Sequence, residues 1–196
     1  MAFTDTHGNI DLTRKLVKRG KQDDVDLVVC AGDFTVFDKN MDQVLELLDS
    51  IGKPVLIIPG NHEIPDVLDK HLKGRKNLVD IHEQVHRHDG VTFLGWGTDG
   101  FTRKSPAFRK VARGWRRKLT EEDTHIVIVT HAPPYKTELD ALDKEHVGNV
   151  DIRKEIELIK PVLAISGHIH ETEGKSGKIG ETLVVNPGWN GMVLKV

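Results

Sequence analysis

The sequence has little of what secreted, disulfide-linked or membrane-spanning proteins need. Its only cysteine, Cys30, cannot form an internal disulfide, and the apolar run around it favours a small buried side chain over a reactive thiol. The longest apolar runs, such as residues 55–58, are far too short to cross a bilayer. The first residues lack the basic and apolar regions of a signal peptide. We therefore expect a cytoplasmic protein with no membrane partner.

The chain also lacks a large excess of either charge. Its 28 basic and 30 acidic side chains give a formal charge of −2, which provides no general attraction to nucleic acid or to anionic lipid. With 196 residues, 38% of them hydrophobic, the chain is long enough for one domain with a sizeable core but short for two. We predict a single domain over residues 1–196, and the composition leaves the oligomeric state open.

Short apolar runs alternate along the chain with segments of helical period. The runs predict strands, several of them buried on both faces, within residues 25–33, 54–61, 91–97, 125–134, 161–170, 180–188 and 192–196. Helices that end at Gly or Pro are predicted within residues 11–20, 41–52, 64–74 and 151–161. This order predicts an α/β fold in which βαβ units surround two central sheets.

One segment is strongly basic. Residues 103–118 contain eight basic side chains and no acidic one, and an apolar stripe at helical spacing runs through them from Phe108 to Leu119. We interpret the segment as an amphipathic helix with a solvated basic face. The alternative is a patch that attracts phosphate-bearing molecules.

Residues 82–86, HEQVH, match a zinc-protease pattern. That pattern requires a helix, which brings both histidines to one side. Val79, Ile81 and Val85 instead fall at alternate positions, which favours a strand or loop. We therefore predict no zinc-protease site at His82 and His86.

Carboxylate, imidazole and amide side chains follow the ends of the predicted strands. They are Asp5, His7, Asp33, Asn61, His62, His131, His168 and His170. The carboxyl edge of an α/β sheet is where ligands bind, and buried carboxylates and imidazoles need a partner there. Imidazole and carboxylate suit first-row divalent ions, whereas a structural zinc site would require clustered thiolates. On an extended strand, His168 and His170 would also point the same way, so the pattern predicts a metal centre.

Five ordered motifs, DTH, GD, GNHE, THAPP and GHIH, resemble those of the calcineurin-like metallophosphoesterase superfamily over nearly the whole chain. The resemblance implies a four-layer α/β/β/α sandwich of two mixed sheets with a dinuclear metal site at the strand ends. One ion would be held by Asp5, His7 and His170, and the other by Asn61, His131 and His168. Asp33 would bridge the two ions. Manganese, iron, nickel or zinc suits such a mixed nitrogen and oxygen site.

The resemblance also implies an activity. The chain length and the closing VVNPGW are similar to the small bacterial and archaeal phosphodiesterases of the family, which hydrolyse a phosphodiester with a metal-bridging hydroxide. His62 is outside the ligand set and would assist the leaving group, while Glu63 would support the turn or a neighbouring hydrogen bond. We expect a small phosphate ester as substrate. The alternatives are a nuclease that uses the basic segment, with nucleic acid as a less favoured partner, and a non-catalytic scaffold.

The sequence departs from the protein Ser/Thr phosphatase branch of the family. That branch has Asp and Arg three and four positions beyond the bridging Asp, where this chain has Val36 and Phe37. The departure disfavours that branch and removes the usual partner of the catalytic histidine. Either Asp38 or Glu63 is then expected to orient His62. The aromatic residues expected at the rim of the pocket are Phe34, Phe37 and Trp189.

Overall fold

The computed structural model describes residues 1–196 and places two β-sheets face to face between layers of helices. The first sheet contains β1 (Ala2–Phe3), β2 (Val28–Cys30), β3 (Val55–Ile57) and β4 (Leu78–Asp80) in that order. All of its strands are parallel, and one antiparallel bridge joins Ala2 to Met192 at its edge.

The second sheet is mixed. Its strands are β5 (Val85–His88), β6 (Val91–Trp96) and β7 (His125–Thr130), followed, after the hairpin of β8 (Ala141–Leu142) and β9 (Glu145–His146), by β10 (Leu163–Ile165), β11 (Ser176–Ile179) and β12 (Thr182–Val185). The order across the sheet is β11-β12-β10-β7-β6-β5, with a parallel centre and an antiparallel strand at each edge. A long connection between parallel strands leaves room for the helices that cover the sheets.

Five α-helices cover the outer faces of the sandwich. The first sheet packs against α1 (Ile10–Gly20), α2 (Met41–Asp49) and α3 (Pro65–Leu72), and the second against α4 (Pro106–Lys118) and α5 (Val150–Ile159). The four predicted helices are therefore confirmed, and the basic segment forms a fifth. The result is the expected four-layer α/β/β/α sandwich.

Alternate side chains of a strand point to opposite faces, and this explains why the strands appear in the sequence as unbroken apolar runs. Val28 and Cys30 of β2 pack into the core beneath α1 and α2, whereas Val29 points the other way, into the core between the sheets. Both faces of these strands are buried, so neither face needs polar side chains. Cys30 is fully buried, and burial raises the pKa of its thiol well above the usual range, as expected for a core residue.

Helix α4 confirms the amphipathic interpretation of the basic segment. Its Phe108 and Trp115 are buried in the core outside the second sheet. Two of its basic side chains are paired with α5: Arg109 lies 2.7 Å from Asp151, and Arg116 contacts Glu155. The remaining basic residues of the helix face solvent.

Two local predictions were wrong. Residues 192–196 do not form a strand, because only Met192 pairs with a neighbour. Residues 168–170 are not extended, since His168 has a φ of 69° and His170 begins a short 3-10 turn. Strand β11 was missed because its sequence, SGKI, is an edge segment with no apolar run.

A cavity of about 310 Å³ lies between the sheets at the end where the strands begin. Apolar side chains such as Val29, Val127 and Ile165 form most of its lining, and it shares no residue with the strand-end polar cluster. No helix in the structure combines the length and apolar character needed to cross a membrane.

Candidate metal centre

All eight predicted site residues meet at the carboxyl ends of strands from both sheets. Asp5 and His7 follow β1, Asp33 follows β2, Asn61 and His62 follow β3, His131 follows β7, and His168 and His170 follow β10. Seven of these side chains, all except Asn61, form three overlapping groups in which the candidate ligand atoms lie within 4.8 Å of one another. Asn61 joins them through its Oδ1, which lies 3.1 Å from His131 Nε2. The carboxyl ends of the strands of both sheets therefore lie close together, and this brings the predicted residues together as their positions after the strands suggested.

The first group contains Asp5, His7 and His170. The two Nε2 atoms of His7 and His170 are 3.1 Å apart, and Asp5 Oδ1 lies 3.7 Å from His170 Nε2 and 4.0 Å from His7 Nε2. Asp5 Oδ1 is buried and has no hydrogen-bond partner, whereas Oδ2 accepts from the backbone N–H of His168 at 3.0 Å. A cation between these three atoms would satisfy the orphaned oxygen.

The second group contains Asp33, His131 and His168, with Asn61 beside them. His131 Nδ1 donates to the Ala31 carbonyl at 2.9 Å, so Nε2 is the nitrogen that faces the site. That Nε2 lies 3.1 Å from Asn61 Oδ1 and 3.3 Å from Asp33 Oδ2, both acceptor atoms. Nε2 of His168 is buried without a partner. These atoms suit a divalent cation that prefers nitrogen and oxygen ligands.

Asp33 connects the two groups. Its carboxylate is grouped with the His131 and His168 nitrogens and also with those of His7 and His62. Its Oδ1 accepts from the backbone N–H of His62 at 2.9 Å, and Oδ2 lies 3.9 Å from His62 Nε2. Asp33 is therefore the carboxylate best placed to contact two ions at once.

The side chains of His131 and Asp33 shift each other's pKa in the directions that favour a protonated imidazole beside an ionised carboxylate. Burial opposes the charge on His131, but its hydrogen bond with Asp33 and the charge of that carboxylate outweigh burial and raise the pKa of His131 to about 9. Burial likewise acts to raise the pKa of Asp33, and His131 outweighs it and lowers the pKa to about 2. Burial and then the charge of His131 lower the pKa of His168 to about 4, so this ring is neutral near pH 7. A bound cation would replace the His131 proton, because metal ligands must be deprotonated.

The backbone at the strand ends is strained. Asp5, His7, Asp33 and His168 have φ angles of 56°, 45°, 50° and 69°, in the left-handed region that most residues avoid. Asp and His are more tolerant of this region than bulkier residues, but such conformations persist only where the surroundings hold them. Left-handed residues redirect the chain sharply after β1, β2 and β10, and this places their side chains at the sheet edge.

Two glycines of the sequence motifs allow the loop backbone to lie very close to the carboxylates of Asp33 and Asp5. A Cβ at Gly60 would lie 2.0 Å from Asp33 Oδ1 and 2.4 Å from the backbone nitrogen of Asp33. Gly167 is similarly constrained, with a Cβ position 2.1 Å from Thr4 Oγ1 and 2.5 Å from Asp5 Oδ2. The glycines before Asn61 and His168 are therefore required by packing against the two carboxylates.

Glu63 joins the loops that carry Asp33 and Asn61. Its carboxylate accepts from the backbone N–H groups of Asp33 (2.9 Å), Thr35 (2.8 Å) and Gly60 (2.7 Å), and from the Thr35 hydroxyl at 2.7 Å. Burial and the charge of Asp33 raise the pKa of Glu63 to about 7, while these donors act in the opposite direction. The expected role of Glu63 in supporting the turn is confirmed.

Neither residue expected to orient His62 forms a hydrogen bond with its ring. Asp38 accepts from the backbone N–H of Ile64 at 3.2 Å, and the four donors to Glu63 all lie elsewhere. Nδ1 of His62 is buried without a partner. The ring is instead stacked against Phe37, with centroids 4.5 Å apart. Packing rather than a hydrogen bond thus holds the imidazole.

The aromatic rim differs from the sequence prediction. Phe34 is fully buried in the core beneath α1 and α2 and cannot reach the site. Trp189 lies edge-on to His170, with ring centroids 5.8 Å apart, as the rim prediction requires. Phe101 was missed, although its ring lies 4.4 Å from that of His168. It occupies an irregular loop, where no periodic signal marks a functional position.

The HEQVH segment is not a helix. His82 follows β4, and its Nδ1 accepts from the backbone N–H of Gly97 at 2.9 Å. His86 lies within β5 and pairs with Phe93 across the sheet. Neither histidine belongs to a group of candidate ligands, and the segment lacks the helix that the zinc-protease pattern requires.

The α/β sandwich carries groups of candidate metal ligands at its strand ends, and comparison with known proteins identifies its family. The model of the calcineurin-like phosphoesterase family matches residues 1–172. The chain is 32% identical to an uncharacterized protein of Methanocaldococcus jannaschii, with 95% of this chain and 86% of that protein covered. The chain therefore belongs to the calcineurin-like phosphoesterase family.

Solved structures show the same fold at low sequence identity. A Thermus thermophilus protein, TT1561, has a TM-score of 0.77 at 17% identity, covering 96% of this chain and 88% of its own. A Danio rerio dimetal phosphatase has a TM-score of 0.62 at 15% identity, covering 98% and 88%. An archaeal phosphodiesterase has a TM-score of 0.54 at 17% identity, covering 95% and 81%. These similarities confirm the sandwich.

The packing at Gly60 generates a direct prediction. Gly60→Ala would force a methyl group into Asp33, so we expect metal affinity to fall by about 10–100-fold, the usual cost of disturbing a residue that supports a ligand. Gly114→Ala is the matched control: its Cβ meets nothing within 4 Å, and it lies inside α4. The control should gain about 0.5–1 kcal/mol in free energy of unfolding. Metal titration and denaturant unfolding of both variants provide the measurement, and unchanged metal affinity in Gly60→Ala would contradict the packing argument.

Proposed function

We propose that this protein is a metal-dependent phosphoesterase that hydrolyses a phosphodiester of a small molecule. The observation that carries the proposal is the position of Asp33, a buried carboxylate that belongs to groups of candidate ligands on both sides. Family membership supports the reaction class. The archaeal phosphodiesterase and the Danio rerio dimetal phosphatase share the fold and are consistent with either ester type.

The two groups of ligands suggest two ions with a shared carboxylate. One ion would be held by Asp5, His7 and His170, and the other by Asn61, His131 and His168, with Asp33 between them. When bound, such ions supply positive charge for the phosphoryl oxygens and lower the pKa of a water molecule. The donor set suits manganese, iron, nickel or zinc.

His62 is proposed as the group that assists the leaving oxygen. Its ring lies against His7, with centroids 4.9 Å apart, and beneath Phe37 at the edge of the site. The His62 side chain is only partly exposed, and its Nε2 is 3.9 Å from Asp33 Oδ2, beyond hydrogen-bonding distance. From this position it could donate a proton to a departing alkoxide while the imidazoles of the two ligand sets beside Asp33 hold the ions.

The charge around the site favours a diester over a monoester. None of the eight residues forms a hydrogen bond or ion pair with an arginine or lysine, and Val36 and Phe37 occupy the positions of the acid and arginine of the protein phosphatases. A monoester carries a second negative charge that would require an additional cation. A diester with a single charge needs no such clamp.

The ion pairs of the basic helix α4 also agree with a small-molecule substrate rather than a nucleic acid. Arg109 and Arg116 of α4 are paired with acidic residues of α5, so part of its charge is already neutralised. A nuclease would bind single- or double-stranded DNA with a steep dependence on salt. We expect weak DNA binding without that dependence.

Metal content tests the ligand assignment. Wild-type protein reconstituted with manganese or zinc should contain two ions per chain, and Asp33→Asn should lose both, because a neutral amide cannot replace a bridging carboxylate. His170→Ala should lose one ion, since His170 belongs to a single group. Elemental analysis after dialysis measures the content, with Asp89→Asn, on the exposed turn before β6, as the control. Retention of two ions by Asp33→Asn would refute the shared carboxylate.

Substrate choice tests the reaction class. With either metal, kcat/KM should be higher for bis(4-nitrophenyl) phosphate than for 4-nitrophenyl phosphate. Removal of the metals with a chelator should abolish both activities. A clear preference for the monoester would reverse the assignment, and the absence of hydrolysis in fully metallated protein would favour the scaffold alternative.

The role of His62 is tested by the leaving group. A positioned acid contributes roughly 10²–10⁴-fold to rate, so His62→Ala should lower kcat by about this factor on a diester with an alkyl leaving group. The loss should be much smaller with nitrophenolate, which needs little protonation. His125→Ala, an exposed histidine at the far end of β7, is the control. If His62→Ala instead loses a metal ion, His62 is a ligand.

A further inference from the structure

Two phenylalanine side chains lie exposed beside the candidate metal centre. Phe37 is 69% exposed and Phe101 is 64% exposed, the highest values among the large hydrophobic residues of the chain apart from Leu158. Such exposed apolar groups bury little of their surface in the fold, and beside a polar site they are typical of ligand-contacting surfaces. Each ring also touches a different histidine of the centre.

Phe37 is held outward by a strained loop. Its φ is 49°, and Asp38 and Asn40 are also left-handed, at 61° and 58°. This conformation is a genuine outlier for a bulky side chain such as Phe. The strain directs the ring over His62, at 4.5 Å between centroids and 27° between planes, while its other face remains in solvent.

Phe101 is placed by a close approach of its loop to the other side of the centre. A Cβ at the preceding residue, Gly100, would lie 3.1 Å from His168 Cε1 and 3.2 Å from Asn61 Oδ1. The loop backbone therefore lies against two proposed ligands of one ion. The Phe101 ring meets the His168 ring edge-on at 4.4 Å between centroids and 67° between planes.

We propose that Phe37 and Phe101 are specificity-determining residues that bind planar, apolar ester groups of the substrate on opposite sides of the phosphoryl group. The assignment rests on the proposed function. Since His62 would assist the leaving oxygen, the Phe37 ring forms the wall of the site that contacts the leaving group. Phe101, beside His168 and Asn61, is the wall for the ester group that is retained. The substrate class is then a phosphodiester with at least one aromatic ring, because flat rings stack on or meet phenyl rings favourably.

Kinetics with matched substrates test the two walls separately. Bis(4-nitrophenyl) phosphate and methyl 4-nitrophenyl phosphate share the same leaving group and differ only in the retained group. Phe101→Ala should reduce the ratio of kcat/KM for these two substrates by about tenfold, the value of one aromatic contact. Phe37→Ala should lower both kcat/KM values by about the same factor and leave their ratio unchanged.

Binding calorimetry gives a readout independent of turnover. Manganese-loaded protein is titrated with phenylphosphonate and with methylphosphonate, which differ only in the ring. The wild type should bind the phenyl compound more tightly than the methyl compound. In the Phe37→Ala, Phe101→Ala double variant, the ratio of the two affinities should fall about tenfold, while the affinity for the methyl compound stays the same. Tyr at both positions keeps the rings and should retain the preference. Leu158→Ala, on the remote helix α5, is the control for an exposed apolar side chain.

The strain supplies a second test. Phe37→Gly removes the unfavourable left-handed phenylalanine, so the denaturant midpoint should rise while the preference for a ring at the leaving group is lost. A fall in the midpoint would mean that the contact of Phe37 with the fold outweighs the strain, so that the left-handed conformation is explained without a ligand, contrary to the proposal.

The outcomes separate the two proposals. An unchanged phenyl preference in the double variant, with normal binding of methylphosphonate and normal hydrolysis, overturns the aromatic walls and leaves the phosphoesterase assignment intact. If metal-loaded wild type binds neither phosphonate and hydrolyses neither diester, the phosphoesterase assignment itself fails.

Discussion

The buried Asp33 carboxylate is surrounded by histidine nitrogens from both sheets, and the loops nearby are shaped to hold it there. Each group of ligand atoms contains lone pairs that face one another at short range, as in the 3.3 Å separation of His131 Nε2 and Asp33 Oδ2. Such an arrangement needs positive charge between its members. A proton can serve between His131 and Asp33, whereas Asp5 Oδ1 and His168 Nε2 are buried without a hydrogen-bond partner and are positioned to bind cations.

The surrounding structure stabilises this unfavourable cluster through the backbone. Asp33 is in a left-handed turn, Gly60 packs against its carboxylate, and Glu63 binds the N–H groups of both loops. The short strands end in these turns, while their interiors are buried between two apolar cores. Stability therefore resides in the sandwich, which holds the left-handed residues of the ligand loops where ions and substrate would bind.

The sandwich and the strand-end residues could be predicted because both depend on local patterns. Apolar runs that end at Asp33 or His131 show the strand and its carboxyl end directly. The left-handed turn at His168 could not be predicted, since it depends on Gly167 packing against a carboxylate distant in sequence. Phe101 was missed for a related reason: its loop reaches the centre through tertiary contacts that leave no periodic signal.

The central claim is that two ions share the Asp33 carboxylate. Anomalous diffraction from crystals of manganese-loaded protein, recorded near the metal absorption edge, tests this most directly. We predict two peaks, one among Asp5, His7 and His170 and the other among Asn61, His131 and His168, with Asp33 in contact with both. A single peak, or a peak coordinated by His62, would contradict the account.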